Sequence, residues 1–303
     1  MTRIGVFAYS QTGHECLKFL FDRGEDVVFV ATHSDDPAEN AWFPSVAQLS
    51  RSRGVEPVTV ERGSDPALLG GLRAAAPDLL FSFYFRDLLP GEALAIPRLG
   101  AYNVHGSLLP KYRGRAPVNW AVLRGERETG ATLHVMTGRA DAGEIVDQEA
   151  VPIGPDDTAL EVQNRVTEAA VRILERRLPE LKAGTAPRRP QEESAATKFP
   201  RRRPENGRID WTRPAAEVHD LVRAVTHPFP GAFTEIFGER TTIWKTRLPR
   251  LGAHDTFPGQ IRTEGGHLYV ACGDDRYIEV LRLQREGENE IDARHFAAET
   301  SAP

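Results

Sequence analysis

Cysteine is almost absent: Cys16 and Cys272 are the only two in 303 residues. They lie far apart and at no metal-ligand spacing, which excludes a disulfide framework and a thiolate zinc site and fits a reducing, cytoplasmic setting. No stretch approaches the ~18 consecutive apolar residues of a membrane helix. The opening residues Met1 to Tyr9 also lack the apolar run of a signal peptide, so a soluble protein without membrane insertion is expected. Excess positive charge is missing too. The chain has 38 Lys and Arg against 43 Asp and Glu, a net −5, which offers no general surface for nucleic acid. Residues 5–13 contain no G-x-G-x-x-G, the chain has no G-x-S-x-G, and none of its nine histidines lies three to five residues from another. A dinucleotide fingerprint, a nucleophile elbow and a histidine metal site are therefore not expected.

What is present is an ordinary globular composition, with 40% hydrophobic and 27% charged residues, and a length that predicts two domains at about 150 residues each. Residues 3–9 read as a strand, 10–13 as a turn, and Cys16, Leu17, Phe19, Leu20 and Phe21 have helical spacing. Strands follow at 26–33, 58–60, 79–83 and 101–105, with helices at 46–53 and 66–76. This alternation predicts an α/β fold with a parallel sheet, whose ligands sit beyond the carboxyl ends of the strands. Beyond a Pro-, Gly- and Arg-rich loop at 109–117 come an apolar segment (118–123) and alternating runs at 131–136 and 144–153. A long helix then runs from Thr158 to about Lys182, with Asp156 or Asp157 as its N-cap and Gly184 as its stop. Residues 183–208 have no apolar period and read as a linker or surface loop. A short helix at 215–225 and short alternating runs over 232–283 predict a small β-barrel or sandwich. The expected division is 1–204 and 205–303.

Asn103-Val104-His105-Gly106-Ser107 stands at a strand end, where residues two apart share a face. Asn103 and His105 then point together into the crevice. An amide donor for an oxyanion beside an imidazole that moves a proton meets the two needs of acyl transfer. The same pair also suits a turn cap and a hydrogen-bonded core histidine. Next to it, Lys111, Arg113 and Arg115 fall within five residues, facing either an anionic ligand or solvent. Asp141, in Arg139-Ala140-Asp141-Ala142-Gly143, is placed to orient His105 and stabilise its imidazolium, or serves only a tight turn. Phe81, Phe83, Tyr84 and Phe85 read as core. Arg201-Arg202-Arg203, near Lys198, suits a diphosphate or a solvated linker.

The run Asn103-Val104-His105-Gly106-Ser107-Leu108-Leu109-Pro110, with Arg139 to Gly143, resembles the 10-formyltetrahydrofolate-dependent formyltransferase family. Phe7-Ala8-Tyr9, Thr32-His33-Ser34-Asp35-Asp36-Pro37, Phe81-Ser82-Phe83-Tyr84-Phe85-Arg86, Lys111-Tyr112-Arg113-Gly114-Arg115-Ala116-Pro117 and Pro228-Phe229-Pro230-Gly231-Ala232-Phe233 are similar to members acting on UDP-4-amino-4-deoxy-L-arabinose. The likeness spans residues 4–283. It implies a Rossmann-like, mostly parallel α/β sheet followed by a smaller OB-like β-barrel domain. It matches Asn103, His105 and Asp141 to the catalytic three. It also implies that the donor, 10-formyltetrahydrofolate, lies against the backbone of Asp87, Leu88 and Leu89, against Arg115, and against the turn Thr137, Gly138, Arg139, Ala140 and Asp141. Lys111, Tyr112, Arg113 and Arg201 are the candidates for the acceptor, a nucleotide-linked amino sugar. The chain ends at Pro303 without the decarboxylase domain commonly fused to the arabinose-type enzyme, so other UDP- or dTDP-linked amino sugars stay open as acceptors. A homo-oligomer is also left open.

Methionyl-tRNA formyltransferase is the rival within the family. Its members are expected to carry a basic insertion after the second strand, where this chain has the short Ser34-Asp35-Asp36-Pro37-Ala38-Glu39-Asn40-Ala41-Trp42-Phe43-Pro44. Three carboxylates and no cation there would repel a phosphate backbone.

Overall fold

A computed structural model describes residues 1–34, 42–61, 65–236 and 238–300; the acidic residues Asp35, Asp36 and Glu39 fall outside these. The chain divides into two compact units. One is built from Met1–Pro117, Glu128–Pro152 and Gln163–Pro200, the other from Val118–Arg127, Ile153–Val162 and Arg201–Pro303.

The first half of the chain alternates strand and helix as the sequence predicts: β1 (Arg3–Ala8), α1 (Ser10–Asp22), β2 (Asp26–His33), α2 (Val46–Ser52), β3 (Val58–Val60), α3 (Pro66–Ala75), β4 (Leu79–Phe83), α4 (Gly91–Leu94), β5 (Ala101–His105) and β6 (Arg113–Gly114). Then come α5 (Pro117–Leu123), β7 (Glu128–Val135), β8 (Ile145–Pro152), α6 (Ala159–Ala183) and β9 (Lys198–Phe199). Seven strands form one sheet in the order β3-β2-β1-β4-β5-β7-β8. The first five run parallel, and β7 and β8 are added antiparallel. The strand order reverses between β1 and β4, so a crevice opens at the carboxyl ends of β1, β4 and β5, where ligands bind in such sheets.

Beneath this crevice Phe7, Phe29, Leu68, Leu72, Leu80 and Phe85 share one buried cluster. Phe81 and Phe83 are wholly buried as well, in keeping with their reading as core. Residues 10–13, read as a turn, instead begin α1. Gly13 permits this, because a Cβ there would press within 2.9 Å of the Phe83 carbonyl. Thr12 is buried against Thr167, with the hydroxyls 2.7 Å apart.

The cap of α6 also differs from expectation. Thr158 Oγ1 accepts from the Glu161 N–H, and the Glu161 carboxylate accepts from the Thr158 N–H, a capping box that makes Thr158 the N-cap. Asp157 instead accepts from the Gly154 N–H at 2.5 Å. A carboxylate at either preceding position was plausible from sequence, but only the box satisfies donors in both directions.

In the second unit α7 (Ala215–Val225) precedes β10 (Ala232–Ile236), β11 (Glu239–Arg247), β12 (Ile261–Glu264), β13 (His267–Ala271), β14 (Tyr277–Arg285), β15 (Ile291–Asp292) and α8 (Ala293–Thr300). The six strands make an all-antiparallel sheet, in the order β10-β11-β14-β13-β12 with β15 paired to β14. Buried Arg223 donates to Asp220 Oδ1 at 2.7 Å and to the carbonyls of Asp157 and Val122. Among the described residues no helix is long and apolar enough to cross a membrane.

Candidate functional site

The period of two in β5 does what the sequence predicts: Asn103 and His105 share a face at the strand end. What the sequence does not reveal is the partner strand. Antiparallel pairing sets Asn103 opposite His134 and His105 opposite Thr132. His134 is 2% exposed. Its Nδ1 lies 2.9 Å from the Val135 carbonyl, which can only accept, so the proton sits on Nδ1 and Nε2 is left as an acceptor. Asn103 Nδ2 donates to that Nε2 at 3.1 Å, which fixes which end of the amide faces the histidine. His105 follows the same logic. Its Nε2 donates to the Tyr112 carbonyl at 2.8 Å, so Nδ1 is the nitrogen that gains or loses a proton, 3.5 Å from Asp141 Oδ1.

Asp141 is the junction of the group. Oδ1 faces His105 Nδ1 and, at 3.6 Å, His134 Nε2, while Oδ2 accepts from the Gly114 N–H at 2.8 Å. Burial by itself would raise this carboxyl. His105 and the Gly114 N–H outweigh it and hold the group well below the ordinary carboxylate range.

The turn that presents Asp141 is tight. A Cβ on Gly143 would run into the Val135 carbonyl oxygen, and Asp141 itself has φ 54°. Tyr84, Tyr112 and Ala116 also lie in the left-handed region, at φ 58°, 59° and 52°. Such non-glycine residues cost about 1–3 kcal/mol each and collect at functional sites.

That cost is offset by a brace at residues 189–199, within the stretch read as a linker or surface loop and largely exposed. Arg189 exchanges backbone hydrogen bonds with Ile145 at 2.8 and 2.9 Å. Gln191 Nε2 donates at 2.7 Å to the carbonyls of both Asp141 and Gly143, while its Oε1 accepts from the Arg113 guanidinium at 2.7 and 3.1 Å. Glu193 accepts from Arg113 at 2.9 and 3.1 Å. The β9 strand pairs with β6, and the Phe199 ring stacks on Tyr112 with centroids 4.9 Å apart. Thr132 and Gln148 hold the loop after β5: Thr132 Oγ1 donates to Ser107 O and accepts from the Leu109 N–H, and Gln148 Nε2 donates to Leu109 O.

The three loop cations therefore do three different things. Lys111 is exposed, with no ion-pair partner among the described residues. Arg115 donates to the Arg86 carbonyl. Arg113, expected to face a substrate, is corrected to a bracing role, since its buried guanidinium is committed to Gln191 and Glu193. Tyr112 is buried and offers His105 its carbonyl. Arg201 belongs to the second unit.

The loop expected to touch the donor begins right after Arg86, whose N–H donates to His33 Nε2 at 3.0 Å. His33 stacks on Phe85 with centroids 4.1 Å apart, and burial, aided by Arg86, keeps it below its usual pKa as a neutral acceptor. Within this loop Leu89 is buried in the core while Leu88 is 61% exposed. Leu88 lines a cleft of about 330 Å³ together with Gly138, Arg139 and Ala140, so the structure brings the two expected donor segments to one place. Thr137 braces its end of the turn, its Oγ1 donating to the Arg139 carbonyl at 3.0 Å. Asp87 lies between Arg86 and Leu88 in the same loop. His134, Gln191 and Thr197 were not singled out from the sequence. Only the position of His134 in an alternating run hinted at a face shared with Thr132.

A carboxylate held ionised beside two imidazoles and an oriented amide, on a strand end of an α/β sheet, defines a site for polar group transfer. Comparison with known proteins gives the class. Residues 6–178 match the model of the formyl transferase family (Formyl transferase), and residues 202–301 match that of its C-terminal domain (Formyl transferase, C-terminal domain). The chain belongs to the formyl transferase family. Among solved structures it is similar to WlaRD, a sugar 3N-formyl transferase determined in the presence of dTDP and 5-N-formyl-THF, with TM-score 0.71 and 19% identity over 95% of this chain and 99% of that one. It is similar also to the N-formyltransferase from Helicobacter canadensis in complex with folinic acid and dTDP-3-aminofucose (TM-score 0.70, 19% identity, 94% and 100% covered). HypX from Aquifex aeolicus in complex with tetrahydrofolic acid matches with TM-score 0.64 and 17% identity over 98% of this chain, which spans 47% of that longer one. Likenesses this distant speak for the fold.

Proposed function

We propose that the protein transfers the formyl group of 10-formyltetrahydrofolate to the amine of a nucleotide-linked amino sugar, with UDP-4-amino-4-deoxy-L-arabinose as the acceptor. The observation that carries the reading is the cluster in which His105 and His134 face ionised Asp141 while His134 holds the Asn103 amide. Membership of the formyl transferase family supports the reaction, and the sugar N-formyltransferases of like fold support the class of acceptor. The motifs at 32–37, 81–86, 111–117 and 228–233 support the particular sugar.

In this mechanism the uncharged sugar amine attacks the formyl carbon and a C–N bond forms. The second, unshared N–H of Asn103 and the protonated His105 stabilise the oxygen as it gains negative charge. The bond from carbon to the folate nitrogen then breaks, His105 delivers the proton that nitrogen needs, and the proton lost by the amine restores His105. Asp141 orients the ring throughout and stays ionised. Holding both substrates in one crevice contributes through effective molarity, worth up to about 7 kcal/mol or more. Leu88, the turn at 137–141 and Arg115 take the donor. Exposed Lys111 is the cation available to the acceptor diphosphate, with Tyr112 as a further acceptor contact.

The test is formyl transfer from 10-formyltetrahydrofolate with UDP-4-amino-4-deoxy-L-arabinose, a dTDP-linked amino sugar and methionyl-tRNA offered separately, with His105→Ala as the blank. Turnover confined to the UDP sugar is expected. Turnover on another nucleotide sugar replaces the acceptor, and turnover on tRNA alone overturns the reading.

A further inference from the structure

The second unit holds a cavity of about 270 Å³, lined by residues of β11, β13 and β14 together with Asp292 and Arg294 at the start of α8. Its wall is shaped by an irregularity in the β11–β14 pair. Ile243 faces Leu283, Lys245 faces Arg282 and Thr246 faces Val280, so Trp244 on one strand and Leu281 on the other have no partner in that ladder. Bulges of this kind re-aim side chains and recur beside binding sites. Trp244 is held elsewhere, its ring stacked on His227 with centroids 3.7 Å apart and its Nε1–H donated to Gln284 at 2.9 Å. Lys245, the next residue, is left to line the cavity with Arg282 and Arg294.

The charges around this cavity do not balance. Glu279 is buried and already compensated, its Oε1 accepting from His267 Nδ1 at 2.7 Å and its Oε2 from Arg247 Nε at 2.9 Å. Arg282 donates to Glu290. Asp292 caps α8, its Oδ1 accepting from the Arg294 N–H at 2.9 Å. Lys245 and Arg294 are exposed, and neither side chain has a hydrogen bond or ion pair among the described residues. With Arg247 counted against Glu279 and Arg282 against Glu290, two cations remain against the one carboxylate of Asp292. Their donors are unspent, three N–H on the ammonium and five on the guanidinium. The ligand that answers such a set is a compact anion made of acceptor oxygens.

We infer that this cavity is a binding site for a phosphate group, free or carried by a nucleotide, held between Lys245 and Arg294 beside the β11–β14 bulge. The volume lies below the roughly 300–1,000 Å³ of pockets that enclose a drug-sized ligand. The phosphate itself is therefore what the cavity encloses, and the rest of a nucleotide would extend outside it.

The test is the rate at which an amine-reactive acetylating reagent modifies Lys245 in the full chain, followed by mass spectrometry with Lys18 and Lys182 as internal references. Inorganic phosphate and UMP are titrated separately, each against sodium chloride of matched ionic strength to remove simple screening. Phosphate is expected to slow the modification of Lys245 relative to the two references, and chloride to leave that ratio level. Arg294→Gln should raise the phosphate concentration needed for half-protection about two- to fivefold, the range of an exposed ion pair, and Arg294→Lys, which keeps the charge, should retain most of the protection. Protection by UMP at lower concentrations than by phosphate assigns the site to a nucleotide's phosphate, and the reverse order assigns it to free phosphate. Unprotected Lys245 in both titrations, equal protection by chloride, or protection unchanged in Arg294→Gln would overturn the assignment.

Discussion

Asn103 donates its side-chain N–H to Nε2 of His134, 3.1 Å away across the β5–β7 pair. Because His134 gives its Nδ1 proton to the Val135 carbonyl, it can only accept at Nε2, and the Asn103 amide has one favourable orientation rather than two. His134→Ala frees that amide and should lower kcat about 10- to 100-fold, the scale of a small misplacement of a catalytic group. The KM of either substrate should move little. His134→Gln returns an acceptor to the same region and should recover part of the loss. Equal loss in both variants, with normal folding, would mean that the imidazole does more than orient Asn103.

Asp141 contributes to the pH dependence of stability. Its folded carboxyl lies below the ordinary value of about 3.9 despite burial, because His105 and the Gly114 N–H favour the ionised form. A depressed carboxylate contributes stability that is present above the unfolded pKa and is lost as pH falls toward the folded one. The difference in urea stability between wild type and Asp141→Asn should therefore be largest above about pH 5 and shrink as pH drops below about 4. A difference that widens on acidification would contradict this account. The same variant should lose about a hundredfold or more in kcat, since an amide cannot pair with the charged ring.

Gln191 ties the turn to the loop with four hydrogen bonds. Gln191→Glu keeps an acceptor for Arg113 but has no N–H for the carbonyls of Asp141 and Gly143. At about 0.5–1.5 kcal/mol for each lost bond, the turn loosens while the fold survives. A fall in kcat of about tenfold is expected, with little change in melting temperature. Unchanged turnover in this variant would reduce Gln191 to scaffolding.

In the second unit Arg223 is buried, with Asp220 and three backbone carbonyls as partners. Arg223→Ala leaves that carboxylate and those carbonyls without it and should cost about 3–5 kcal/mol. Chemical denaturation followed by tryptophan fluorescence would register it. A shift under about 1 kcal/mol would mean that water replaces the guanidinium freely.

The sequence by itself determined the alternating elements, since each is written in the burial period of its own residues. It also determined that Asn103 and His105 share a face, because a strand repeats every two. Even Asp141 could be read, as a carboxylate in the tight Asp141-Ala142-Gly143 turn between two alternating runs. Tertiary structure alone decided the rest. His134 becomes part of the site only through an antiparallel register linking positions 31 residues apart. Gln191 and Thr197 do so through a stretch with no apolar period, which reads as a linker or surface loop because it is held by hydrogen bonds rather than by burial. Arg113, a cation apparently free to meet a substrate, was turned inward by partners about 80 residues away. Hydrophobic periodicity records how a segment meets the core. A polar side chain that joins two distant loops leaves no such trace, and the site's geometry is set largely by contacts of that kind.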